Sequence, residues 1–297
     1  MTRDTVTSWL QSLPTWAVLG MFFLVPLALV LVISFAPADE FGDPVKPPDI
    51  REHMRTGEFA KNYHEAATPP FLRTYWRSLW IAVATTAICL VVAYPVAYYI
   101  AIVADPRWRN LLLAAVAVPF WTSFVVRTSA WKLILGSGGP IDVLVKRMGG
   151  DGFDWLFTPA AVLIGLVYGE LPFMILPLYA SLEKLDRGLL EAAGDLGATP
   201  WRAFWRVTVP LTMPGIVAGV VLVFIPSVGQ FVVSDLLGGE RSWLAGNLIQ
   251  FQFTDTSGSK PLGAAVSFIV MSAVLLLLMV YALYARDTRP ASGAAKR

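Results

Sequence analysis

Four stretches of this chain, residues 16–36, 79–104, 207–234 and 261–285, each run for at least 21 residues without a charged side chain. An α-helix rises 1.5 Å per residue, so roughly 20 apolar residues cross a hydrocarbon core of about 30 Å. Lipid cannot hydrogen-bond an open backbone, which leaves a helix as the form these stretches must take. Two more, residues 111–135 and 160–182, reach spanning length only by enclosing Arg127 and Lys132 in the first and Glu170 in the second. Charge inside a span is costly and points to function. With 56% hydrophobic and 15% charged residues, the chain falls well below the charge of about 25% found in soluble domains. The reading is an all-α integral membrane protein with six transmembrane helices.

The first run is preceded by Arg3, and Ser34-Phe35-Ala36 resembles a small-residue cleavage site. Its length exceeds that of a secretory core of about 7–15 residues, and Pro37 would follow the cut, so it is expected to stay as a spanning helix. Six spans put both termini on one side. Basic residues number eleven on that side and ten on the other, six of the ten lying in the long segment 37–78. The positive-inside rule counts short loops, which places the termini in the cytoplasm. The expected organisation is a cytoplasmic N-terminus at 1–15, a first span at 16–36 and an extracytoplasmic loop at 37–78. A five-helix core at 79–285 follows, with a cytoplasmic loop at 183–213 inside it, and then a cytoplasmic tail at 286–297. In the outer loop, Pro47-Pro48 and Pro69-Pro70 are expected to break any long helix. Phe71, Arg73, Tyr75, Trp76, Arg77 and Trp80 suit an interfacial lead-in to the second span. Pro95, Pro119, Pro172, Pro177 and Pro226 are expected to interrupt spans and free carbonyls.

The residues of loop 183–213 have a legible local structure. Leu185, Leu189, Ala192, Ala193 and Leu196 recur at helical spacing, and Gly197 is placed for a left-handed stop. Thr199 is a good N-cap and Pro200 a good first helical residue for a second helix, from Trp201 to Pro210. Arg202 and Arg206 are offset by Glu191 and Asp195, and the motif is tethered between spans, so a nucleic-acid partner is not expected. One cysteine, Cys89, and two histidines, His53 and His64, give no metal-ligand spacing and no catalytic constellation within the spans. No Gly-x-x-x-x-Gly-Lys-Ser/Thr loop is present, so no cofactor is expected and nucleotide energy would have to come from another subunit.

Glu191-Ala192-Ala193, then Gly197, Val207, Val209 and Pro210, resemble the signature loop of ABC importer permeases, with valine in place of isoleucine and leucine. The resemblance implies a type I importer permease of MetI-like architecture. In that family this loop is the coupling helix that inserts into an ATPase, so it implies an ATPase dimer, a second permease subunit and an extracytoplasmic substrate-binding protein as partners. It implies coupling roles for Glu191, Ala192, Ala193, Gly197 and Pro210. The segments around Pro119-Phe120-Trp121-Thr122-Ser123-Phe124, Leu171-Pro172-Phe173-Met174, Leu222-Val223-Phe224-Ile225-Pro226 and Leu236-Leu237-Gly238-Gly239 are similar to the spermidine/putrescine importer permeases, and narrow the implied cargo to polyamines.

Desolvated ammonium groups need carboxylates or aromatic faces. The candidates for such a path are Glu170, Asp235, Phe120, Trp121, Tyr168 and Phe173, with Arg127 and Gln230 beside them. Glu170 could instead pair with Arg127 or Lys132, while the aromatics pack. Gln230 stands where the polyamine pattern has an acid, and Glu170 where it has a neutral or aromatic residue. That exchange is compatible with a diamine, another organic cation or an opine-like amino-acid derivative. An ion-coupled secondary transporter is the rival of a different class and predicts inverted repeats, which the sequence does not display.

Overall fold

The computed structural model describes residues 18–39, 41–44, 60–149, 155–239 and 242–287, with side chains to 279 in the last helix. The expected N-terminus at 1–15, the first residues of the first span, Pro47-Pro48, His53 and most of the tail lie outside the described residues. Regular structure among the described residues is helical, apart from one isolated bridge between Ala38 and Pro44.

The helices, in chain order, are α1 (Gly20–Ser34), α2 (Lys61–Ala66), α3 (Pro69–Val103), α4 (Pro106–Trp121), α5 (Phe124–Leu135), α6 (Pro140–Arg147), α7 (Pro159–Leu182), α8 (Arg187–Asp195), α9 (Pro200–Leu211), α10 (Met213–Gly229), α11 (Ala245–Thr254) and α12 (Lys260–Asp287). A π-helical turn, Ser234–Gly238, precedes α11. Each of the six expected runs is helical over most of its described residues, and among the described residues α3, α7 and α12 are the unbroken helices long and apolar enough to cross a membrane. Between α4 and the stretch Phe124–Arg147, which holds α5 and α6, the bend is 92°, and between α9 and α10 it is 68°; counting each pair as one span brings the number to five. The shorter apolar α1 stands beside them.

These breaks correct the expected spans. The third run does not continue from 111 to 135: at Val118–Trp121, around Pro119, the helix tightens to a 3-10 turn, and the backbone leaves the helix at Thr122 and Ser123 before α5 restarts. The fifth run, expected over 207–234, is divided at Thr212, whose φ of −97° and ψ of 5° end α9, and α10 stops at Gly229. Pro214, in the first turn of α10, lacks the N–H that would bond back across this corner. Pro95, Pro172, Pro177 and Pro226, by contrast, lie within continuous helices and do not interrupt them. Pro69 and Pro70 start a helix where a break was expected, because its first turn needs no internal N–H bonds. The aromatic lead-in 71–80 is therefore the beginning of α3.

By contacts the chain forms two compact units, one of residues up to Leu72 with those from Leu248, the other Arg73–Asn247. In the first, α12 packs on α1 and α2. Asn62, buried on α2, donates to the carbonyls of Ser34 (3.0 Å) and Ala36 (2.8 Å), which satisfies the open end of α1. Lys260 bonds Asp43 through its ammonium and the Gly42 carbonyl through its backbone, fixing the start of α12.

In the second unit, α7 and α10 are the most extensively packed pair. Lipid tails are as apolar as leucine, so close contact rather than expulsion from water holds such helices. Gly215 and Gly219 of α10 permit that approach: a Cβ at Gly215 would lie 2.5 Å from the Ser181 Cβ and 2.7 Å from the Pro177 oxygen. Around this contact, Cys89, Ala93 and Ala97 of α3 meet Met174, Leu178 and Leu182 of α7 and Val223 of α10. A second cluster joins Leu135 of α5, Ala161, Val162 and Leu166 of α7, Leu237 of the π turn and Val233 just before it.

Candidate functional site

Two features of the second unit carry the chemistry singled out in the sequence, and the first is the α8–α9 loop. Asp186 caps α8 by accepting the Gly188 N–H (2.9 Å). At the other end Gly197 adopts φ +79°, the Gly197 N–H donates to Gly194 (2.8 Å) and the Ala198 N–H to Ala193 (2.9 Å). That bond pair defines a Schellman stop, as the glycine position predicts. Thr199 then accepts the Arg202 N–H, Pro200 opens α9, and residues Phe204–Thr208 widen to a π turn. The expected helix from Trp201 to Pro210 is present and includes that turn.

No residue of α8 is buried. Glu191 and Ala192 face outward with Leu189, and Leu196 is 89% exposed; on α9, Trp201 and Trp205 are exposed too. The expected apolar stripe of α8 thus has little of this chain against it. Pro210 lies in the last turn of α9 and is exposed.

The second feature runs along α7, where Glu170 is 4% exposed. Its Oε2 has no hydrogen-bond partner among the described residues, and the same holds for Nε and Nη1 of Arg127 on α5. The Arg127 charge acts on Glu170, yet no ion pair within 4.0 Å joins them among the described residues. Lys132 points to the outside of α5 and makes no such pair either. Two aromatic contacts flank this buried carboxyl group. Phe173 meets Phe120 edge-on at 4.8 Å, and Tyr168 meets Trp131 edge-on at 5.5 Å. The broken α4–α5 span therefore lays Phe120, Arg127 and Trp131 beside Phe173, Glu170 and Tyr168 of α7.

Phe124 completes this strip and was not among the sequence candidates. Its ring sits 5.6 Å from the Arg127 guanidinium carbon, and a Cβ at Gly169 would approach it to 3.1 Å. A signal was available in the Gly169-Glu170 pair, since a glycine beside a buried acid leaves room for a ring. Three candidates stand apart from the strip. Trp121 is 89% exposed. Gln230, just past the end of α10, turns its side chain to the following backbone, its Oε1 accepting the N–H groups of Phe231 (3.2 Å) and Val232 (3.3 Å). Asp235 lies beyond α10, exposed on the π turn Ser234–Gly238, because α10 ends earlier than the apolar run does.

Comparison with known proteins gives a consistent result. The family model described as "Binding-protein-dependent transport system inner membrane component" matches residues 4–290. The spermidine/putrescine transport system permease protein PotB of Haemophilus influenzae is 42% identical over 262 residues, 88% of this chain and 87% of that one. PotB of Escherichia coli is 43% identical over 222 residues, 74% of this chain and 80% of the relative. Among solved structures, a chain of a bacterial ABC transporter involved in the import of the acidic polysaccharide alginate superposes with TM-score 0.70 at 19% identity, covering 97% of this chain and 99% of that one. A chain of the inward-facing MetNI methionine ABC transporter gives 0.57 at 20% identity, covering 75% and 100%. At such identities the structures report the fold.

Proposed function

The chain belongs to the family of binding-protein-dependent transport system inner membrane components, and from that premise we propose that it is the permease half of a polyamine importer driven by a separate ATPase. The observation that carries the cargo class is the 42% identity to a spermidine/putrescine permease across 88% of the chain. The partners follow from the same reading: an ATPase dimer, a second and homologous permease subunit, and an extracytoplasmic binding protein that delivers the substrate. In this reading both termini and the α8–α9 loop are cytoplasmic.

The loop is the coupling element. Glu191 offers a charge to the ATPase, Ala192 and Ala193 permit close approach, and the exposed Leu189, Leu196, Trp201 and Trp205 supply apolar area. Gly197 fixes the turn and Pro210 ends the arm. ATP-driven movement of the ATPase would reach the spans through this loop, and this chain itself would do no nucleotide chemistry.

Substrate passes along the strip between α7 and the broken α4–α5 span. An ammonium group leaving water loses its solvation, and a carboxylate with aromatic faces replaces part of it. Glu170 supplies the carboxylate, Tyr168, Phe173 and Phe120 the faces, and Arg127 a positive charge that keeps the carboxylate from holding a cation too firmly. Trp121, Gln230 and Asp235 stand apart from this path. A second reading is favoured by one observation: the acid is on α7 at Glu170 while Gln230 spends its amide oxygen on its own backbone. A pocket rearranged in this way also suits another organic cation or an opine-like conjugate.

The test is uptake in proteoliposomes holding this chain, its permease partner and the ATPase, supplied with binding protein and labelled putrescine or spermidine. Accumulation of either, dependent on enclosed ATP, supports the reading. Binding-protein-stimulated ATP hydrolysis with an opine and with neither polyamine would replace the cargo class.

A further inference from the structure

One place where the α8–α9 loop meets the rest of its unit is the end of α3. There the helix widens into a π turn, Tyr99–Val103, and stops at Ala104, leaving its last carbonyls without partners in the helix. One of them, the Ala101 oxygen, accepts two guanidinium groups: Nη2 of Arg109 on α4 (3.0 Å) and Nη2 of Arg187 (3.4 Å), the first residue of α8. Arg109 also lies 3.9 Å from Glu183, which accepts the Tyr179 hydroxyl at 2.7 Å from the end of α7. Cations at the negative end of a helix are favoured, so α3 draws both arginines to it.

The second arm reaches the same helix end. Phe204 opens the π turn of α9 and packs edge-on against Tyr94 (5.2 Å) and Tyr98 (6.2 Å) of α3, while the Tyr94 hydroxyl bonds Thr212 Oγ1 (2.8 Å) at the corner between α9 and α10. Outward, Phe204 stacks on Trp201 at 5.9 Å, one of the exposed aromatics of the loop. The loop is thus fastened near one helix end on both of its sides, by a charged clasp at the start of α8 and an aromatic wedge in α9. Single π turns inside α-helices are frequent at functional sites.

We infer that the π-helical end of α3 is the receiver of the coupling movement, with Arg187 and Phe204 as positioning residues that transmit it and Arg109 as the brace. This deepens the coupling reading proposed above and rests on it. Arg187 and Phe204 touch neither substrate nor nucleotide; they act by making α3 follow the loop.

The experiment uses the reconstituted complex and reads three quantities for each variant: ATPase subunit retained on purification, ATP hydrolysis stimulated by loaded binding protein, and cargo moved per ATP. Arg187→Met and Phe204→Ala are expected to retain the ATPase, hydrolyse ATP and move at least fivefold less cargo per ATP. Arg187→Lys, which keeps one donor, and Phe204→Leu, which keeps apolar bulk, are expected to recover a large part of the loss and serve if the harsher variants do not accumulate. Cargo per ATP within twofold of the parent in all four overturns the inference. The reading beneath it is tested separately by Glu191→Lys in the same assay: normal ATPase retention and stimulation there would remove the loop as the docking element, whatever α3 does.

Discussion

Replacing Gly197 by alanine isolates the contribution of one backbone conformation to docking. At φ +79° the position is left-handed, and a Cβ built there meets no other atom within 4 Å. Steric conflict with neighbours is therefore absent, and the cost is that of the left-handed conformation itself, about 1–2 kcal/mol for an L-residue. If the ATPase recognises only the loop closed by its Schellman stop, the population of that form falls by about 5–30-fold, with affinity following it. Gly194, three residues earlier, provides the opposite case. It too has open space around a Cβ, but its φ is negative, so alanine there removes helix-destabilising freedom worth about 0.5–1 kcal/mol. Asparagine at 197 tolerates the left-handed region and should fall between glycine and alanine. The assay is titration of the detergent-solubilised permease complex with purified ATPase subunit, followed by light scattering or surface plasmon resonance. The reasoning is refuted if Gly197→Ala binds within twofold of the parent, or if Gly197→Asn is as weak as alanine.

Glu170→Gln should lower uptake of a divalent or longer polyamine at least tenfold in reconstituted complexes while leaving the ATPase bound; unchanged uptake and stimulated hydrolysis would remove Glu170 from the path. Gly215→Ala should destabilise the α7–α10 contact by about 1–3 kcal/mol, since it drives a methyl group into the Pro177 carbonyl and Ser181. Gly219→Ala should cost less, because the atom it meets first, Met174 Sδ at 2.5 Å, belongs to a flexible side chain; thermal unfolding in detergent ranks the two, and the reverse order contradicts the packing described. Asn62→Leu should cost about 1–3 kcal/mol by leaving the Ser34 and Ala36 carbonyls unpaired at the end of α1, read by the same thermal assay.

What was legible in the sequence was local. The stop at Gly197 and the start at Thr199 and Pro200 are decided by residues within three positions of the backbone groups concerned, whereas the Asp186 cap of α8 was not read from the sequence. The apolar runs announced the helices because lipid leaves the backbone no alternative. The corners at Thr122-Ser123 and Thr212 were not legible, since neither residue is a strong helix breaker. Five prolines were expected to interrupt spans, yet only Pro119 adjoins a break, and four sit in helices that tolerate one missing bond when neighbouring helices surround them. The aromatic pairing of Phe120 with Phe173 and of Trp131 with Tyr168 depends on how α4 and α5 fold back on α7, information that spacing within one segment does not contain. The π turns Tyr99–Val103 and Phe204–Thr208 have no sequence signature at all.

The account's central claim is that a separate ATPase drives transport through the α8–α9 loop. It is tested most directly by comparing proteoliposomes containing the parent chain with those containing Glu191→Lys and Gly197→Ala together, each with the same permease partner, ATPase, binding protein and enclosed ATP. The account predicts polyamine accumulation in the first and near-background accumulation in the second, with the ATPase no longer held by the complex. Equal accumulation in both, or accumulation that persists without any ATPase, would contradict it.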